Sequence, residues 1–143
     1  MSTERIIVQR SIADSFRKVL IDTTEKTFGT SAPPPFLVTP EAVKKNKNLI
    51  SDAVFKGASV LFGDPNNHEP MSTNMRPLIV ENVTKEMDLH KTESFGPTVS
   101  LYVVDREEEA IALANDAEYG LSAAVYTEEL RRGLRVARQI ESG

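Results

Sequence analysis

Five short, mostly apolar runs, at 5–9, 58–62, 77–83, 98–104 and, richer in small residues, 121–126, alternate with longer segments whose apolar residues recur at helical spacing. No other feature of the chain constrains its fold as strongly. Each run is too short for a helix and mostly apolar instead of strictly alternating, which predicts a strand covered on both faces. Strands that alternate with helices build a largely parallel sheet between two helical layers. The predicted fold class is therefore α/β, as a three-layer α/β/α arrangement. At 143 residues the chain fits one domain, and no internal repeat or long linker divides it.

Local signals predict where the helices begin and end. Ser11, with Asp14 three residues on, is the expected cap of the first helix, with Ile12, Phe16, Val19 and Leu20 facing inward and a stop near Phe28 and Gly29. Pro33, Pro34 and Pro35 then enforce an extended connector. Thr39, Pro40 and Glu41 supply a capping hydroxyl, a first-turn proline and an acid, so a helix starts there and ends at Gly57. Its expected buried face is Val43, Ile50 and Val54, flanked by Ala42, Leu49 and Ala53. Asp105 is the expected cap of a helix carrying Ala110, Ile111 and Ala114 inward. Thr127 caps a last helix whose inner stripe is Leu130, Leu134, Ala137 and Ile140.

The net charge is −4, and the basic groups Lys44, Lys45 and Lys47, and Arg131, Arg132, Arg135 and Arg138, fall among helix-periodic positions. They read as solvated helix faces, so no nucleic-acid partner is expected. No apolar run approaches the ~18 residues of a membrane span, so no membrane partner is expected and a cytoplasmic setting is the default. The sequence holds no cysteine, which excludes disulfides, thiolate metal sites and a cysteine nucleophile within this chain. His68 and His90 lack ligand-like spacing, read as loop or surface residues, and predict no metal site.

Between the runs at 77–83 and 98–104 lies Glu93-Ser94-Phe95-Gly96-Pro97. It places a carboxylate, an aromatic ring and a Gly-Pro turn within five residues. Such a loop offers two acceptor oxygens to a diol and a flat face to a ring. The alternative is a turn that carries an incidental acid and a buried phenylalanine.

This stretch, together with Asn115 and Tyr119-Gly120-Leu121-Ser122-Ala123 followed by Val125 and Thr127, resembles the NAD(P)-dependent aldehyde dehydrogenase superfamily, with some similarity to its salicylaldehyde and vanillin types. The resemblance covers nearly the whole chain and implies part of that family's catalytic domain. It implies that Glu93 accepts hydrogen bonds from the vicinal hydroxyls of the nicotinamide ribose, and that Phe95 packs near that ribose and limits where the ring sits. Gly96 and Pro97 would hold the loop in shape, while Asn115 and residues 120–123 would serve packing and turns. NAD or NADP is the implied cofactor, and an aldehyde the implied substrate, of the complete enzyme.

The family's nucleophilic cysteine lies just before residues that Met1-Ser2-Thr3-Glu4-Arg5 resemble, and its general base, oxyanion asparagine and dinucleotide-binding domain have no counterpart in this chain. Family chemistry needs thiolate attack on the aldehyde, hydride transfer and thioester hydrolysis. The expectation is a chain with no catalytic residue of its own, inactive alone and without tight NAD binding. The alternative is a non-catalytic truncated paralogue that docks onto a full-length dehydrogenase or a complementary half.

Overall fold

A computed structural model describes residues 3–66 and 72–142. Four strands form one sheet: β1 (Arg5–Gln9), β2 (Ser59–Phe62), β3 (Leu78–Glu81) and β4 (Thr98–Val104), in the order β1-β4-β3-β2. β4 is central and parallel to both neighbours, with Ile7 opposite Tyr102 and Val80 opposite Ser100. β2 joins β3 antiparallel, so the sheet is parallel except at that edge. This matches the expected largely parallel sheet.

Alternate residues of each strand feed opposite layers. Val8, Ile79 and Leu101 pack with Ala13, Phe16 and Leu20 of α1 (Ala13–Phe28) on one face. On the other face Val80 and Tyr102 meet Leu49 and Ala53 of α2 (Pro40–Phe55), Leu89 of α3 (Asp88–Lys91) and Leu113 of α4 (Glu107–Asn115). Val43 and Ile50 close a third cluster with Met75 and Leu78. Helices cover both sides of the sheet, as the uninterrupted apolar runs require.

Thr39 caps α2 as expected, its hydroxyl accepting from the Ala42 amide at 3.2 Å, and Gly57 ends the segment at φ 103°. Three other caps differ from expectation, Thr127 among them: the last helix starts at Leu130 after Glu129 with no side-chain cap, and the Thr127 hydroxyl accepts from the Glu129 amide at 3.2 Å. Ser11 falls within a 3-10 turn, Arg10–Ile12, so α1 starts at Ala13 with no side-chain cap. That start leaves Ile12 and Val19 exposed. The Asp105 carboxylate is taken by Arg10, and Glu109 instead accepts from the Asp105 and Arg106 amides at the start of α4. Val54 is also partly exposed, because Leu49, Ile50 and Ala53 occupy the packed face of α2.

Residues 121–126 form no strand among the described residues. The segment runs beside α5 (Leu130–Ala137) instead of joining the open outer edge of β1 or β2. The expected inner stripe of α5 is uncovered: Leu130 and Leu134 are exposed, and with Ala123, Val125, Ala137 and Ile140 they line an apolar groove of about 350 Å³.

α5 is tied to α4 through Glu107, which accepts from Arg132 and Arg135 at 2.8–3.0 Å. These hydrogen bonds, Arg132 first, hold the Glu107 carboxyl below its ordinary value. A lowered folded-state value means that the tie is complete above the ordinary glutamate range and lost as pH falls through the lower value. The protection factors of the α5 amides, corrected for the intrinsic pH dependence of exchange, are therefore expected to fall on acidification below the ordinary glutamate range, and on adding salt at neutral pH, while β4 stays protected. An equal fall in both elements would argue against this local tie.

His90 departs from its surface reading. It is 3% exposed, with Nδ1 3.2 Å from the Tyr102 hydroxyl and Nε2 3.2 Å from Asp116. Beside it the Arg5 guanidinium donates to the carbonyls of His90 and Leu113 and lies 5.9 Å from the Tyr102 ring centre. Lys85 first, then His90, lowers the Asp116 carboxyl, while burial pushes the Tyr102 phenol up. The short α3 is what carries His90 inward, and no strong local periodicity marks so short a helix. His68 lies outside the described residues. Among the described residues no three His, Cys, Asp or Glu side chains cluster as a metal site, and no helix is long and apolar enough to cross a membrane.

Candidate functional site

The loop 93–97 leaves α3 and enters β4, which fixes its two ends on the packed sheet. Its residues alternate sharply in exposure: Glu93 is half-buried, Ser94 fully buried, Phe95 71% exposed and Gly96 buried. Ser94 is thus an inward anchor between two outward side chains. Phe95 adopts φ 53°, a left-handed conformation that costs an aromatic residue about 1–2 kcal/mol and persists only where its surroundings enforce it.

Two separate elements enforce it. From the start of β1, Glu4 accepts from the Ser94 amide at 3.0 Å, the Ser94 hydroxyl at 3.0 Å and the Phe95 amide at 3.1 Å. From α2, Asn46 is fully buried; its Nδ2 donates to the Ser94 carbonyl at 2.9 Å and its Oδ1 accepts from Thr98 at 3.0 Å. The neighbouring Lys45 donates to the Glu93 carbonyl at 2.8 Å and places its ammonium 5.8 Å from the Phe95 ring centre.

Gly96 is required by close approach: a Cβ there would lie 2.5 Å from the Asn46 amide. Pro97 passes its carbonyl to the Leu78 amide at 2.8 Å, joining the loop to β3. The structural part expected of Gly96 and Pro97 therefore has a specific form.

Among the described residues no hydrogen bond reaches the Glu93 carboxylate, so both oxygens can accept from outside the chain. Tyr119 stands nearby. Burial first, then the Glu4 carboxylate, raises its phenol, with Arg5 acting in the opposite sense and Glu93 adding to the rise. An open carboxylate, an outward ring and a rigid backbone between them suit a ligand that carries adjacent hydroxyls and a planar group. Asn115 has a packing part, donating to the Gln139 carbonyl at 2.8 Å and accepting from the Glu141 amide at 3.1 Å.

The sequence expectations placed Glu93 and Phe95 on one loop but missed Glu4, Lys45 and Asn46. Lys45 is not simply a solvated cation of α2, because its ammonium is spent on the loop. Asn46 carried a usable signal: it sits on the stripe of Val43 and Ile50, where a polar side chain needs a partner. Nothing local marked Glu4, whose partners lie 90 and 91 residues away.

The aldehyde dehydrogenase family profile matches residues 1–143, and the chain belongs to that family. It is 37% identical to vanillin dehydrogenase of Pseudomonas fluorescens over 148 residues, covering 100% of this chain and 30% of the relative. It is 36% identical to mouse mitochondrial succinate-semialdehyde dehydrogenase over 149 residues, covering 99% of this chain and 28% of that protein. Among solved structures, salicylaldehyde dehydrogenase of Pseudomonas putida G7, complexed with salicylaldehyde, superposes with TM-score 0.85 at 32% identity, over 98% of this chain and 29% of that one. Succinic semialdehyde dehydrogenase of Streptococcus pyogenes with NADP+ gives TM-score 0.85 at 28% identity, over 98% and 32%. The chain spans under a third of the length of these relatives.

Proposed function

We propose that this chain is a segment of an aldehyde dehydrogenase catalytic domain that contributes the nicotinamide-ribose loop to a complete aldehyde-oxidising enzyme using NAD or NADP. The observation that carries the reading is the clamped loop with an uncommitted Glu93 carboxylate beside an exposed Phe95. A bound nicotinamide cofactor would supply the hydride acceptor. The residues of this chain bind and orient: Glu93 accepts from the ribose hydroxyls, and Phe95 restricts the position of the ring. The thiol that attacks the aldehyde has to come from outside this cysteine-free chain.

Alone, the segment is inactive. One charged hydrogen-bonding group contributes about 1.5–3 kcal/mol, less than the several kcal/mol that association costs. Titrating NAD+ into the purified chain is expected to give no heat or fluorescence change at micromolar concentration. A micromolar dissociation constant would overturn this part of the reading.

A second reading, docking onto a full-length dehydrogenase or a complementary half, is favoured by the uncovered apolar stripe of α5. Co-expression with such a partner is expected to yield a stable mixed complex. Leu134→Asp should abolish the complex while leaving the circular dichroism melt of this chain alone unchanged, because Leu134 is already half-exposed. Recovery of only a compact monomer would sink the docking reading.

A further inference from the structure

We propose that Glu4 is the positioning residue of the cofactor loop, a proposal that rests on the reading of Glu93 and Phe95 given above. Its carboxylate binds three donors of two consecutive residues, so it fixes the backbone at the point where Glu93 and Phe95 diverge. Successive amides that converge on one anion set the direction of the peptide planes between them. Here they hold Phe95 in its left-handed conformation and aim its ring outward.

Glu4 is itself held rigid. Its carbonyl accepts from the Ser100 amide at 2.9 Å, in the strand that leaves the loop. Main chain and side chain of one residue therefore span both sides of the turn. Asn46 grips the carbonyl of Ser94, whereas Glu4 grips the amides of Ser94 and Phe95. The two clamps are thus not redundant, and of the two only Glu4 touches Phe95.

The test uses Glu4→Gln and Glu4→Ala in the full 143-residue chain. Glutamine keeps one acceptor oxygen but turns an N–H toward an amide that had an acceptor, so its effect should be intermediate. Amide exchange at Ser94 and Phe95, read by NMR, is expected to rise about tenfold in Glu4→Ala, the equilibrium weight of one lost charged hydrogen bond. The amides of α2 and β3 should be unchanged.

If an active complex forms with a complementary partner, the KM for NAD+ should rise in the Glu4 variants with little change in kcat. Unchanged exchange at the loop overturns the proposal, and so does acceleration spread evenly over the chain, which would mark Glu4 as a general fold residue. A KM shift in Glu93→Ala but not in the Glu4 variants overturns it while leaving the loop reading in place. No shift in either removes the loop reading and the proposal together. Without an active complex, the exchange pattern alone decides. Should Glu4→Ala fail to fold, the near-isosteric glutamine carries the measurement.

Discussion

Replacing Asn46 with leucine is expected to lower the unfolding free energy by about 3 kcal/mol, because it strands the Ser94 carbonyl and the Thr98 hydroxyl in a dry interior at about 1–3 kcal/mol each. Asn46 is completely buried and links α2 directly to the loop. Leucine matches the side chain in size but offers no donor, so the loss is polar, with little cavity. Urea unfolding of the two proteins measures it. Asn46→Asp keeps the acceptor for Thr98 but opposes a carboxylate to the Ser94 carbonyl, so it should be no better than leucine. A destabilisation below about 1 kcal/mol, the cost typical of a single net hydrogen bond, would show that the loop repacks without its amide partner.

The second large effect is functional. In any active complex that contains this chain, Glu93→Ala is expected to raise the KM for the cofactor about 10- to 100-fold, the equivalent of about 1.5–3 kcal/mol for a charged hydrogen-bonding group. Glu93→Gln retains one acceptor oxygen and should fall between. Both variants should melt with the parent, because among the described residues no hydrogen bond of the fold ends on that carboxylate. Cofactor dependence unchanged by Glu93→Ala would mean that the loop serves architecture alone.

Much of this architecture was readable along the chain because its determinants are local. β1 and β4 coincide with their apolar runs, and the Thr39-Pro40-Glu41 signal starts α2 where its hydroxyl, ring and charge all require. One failure comes from competition by a residue far away. Asp105 is a sound cap in isolation, but Arg10 reaches it across 95 positions and claims its carboxylate. Residues 121–126 have the composition of a strand, yet they lie against α5 and join neither open edge of the sheet, that of β1 or that of β2.

The same division runs through the candidate site. Glu93 and Phe95 are legible because both sit in one pentapeptide whose chemistry is complete in itself. The groups that shape that pentapeptide come from two other elements, and a linear reading has no access to them. Asn46 is the instructive intermediate: its polarity on an apolar stripe announces a buried partner without saying which. His90 is the opposite case, a residue whose burial follows from a helix of four residues too short to announce itself.

The separation of Glu4 from Ser94 also bears on the order in which the molecule assembles. β1 is made well before its ladder partner, which begins at Thr98, with Arg5 opposite Ser100. Contacts of such long sequence separation form after local helices and hairpins, once their loop-closure entropy can be met. During synthesis β1 therefore waits as an unpaired apolar strand while α1, α2 and the β2–β3 pair emerge. The loop acquires its clamp only when Glu4 is brought to Ser94 and Phe95, so the left-handed conformation of Phe95 belongs with the late, long-range pairing of β1 and β4.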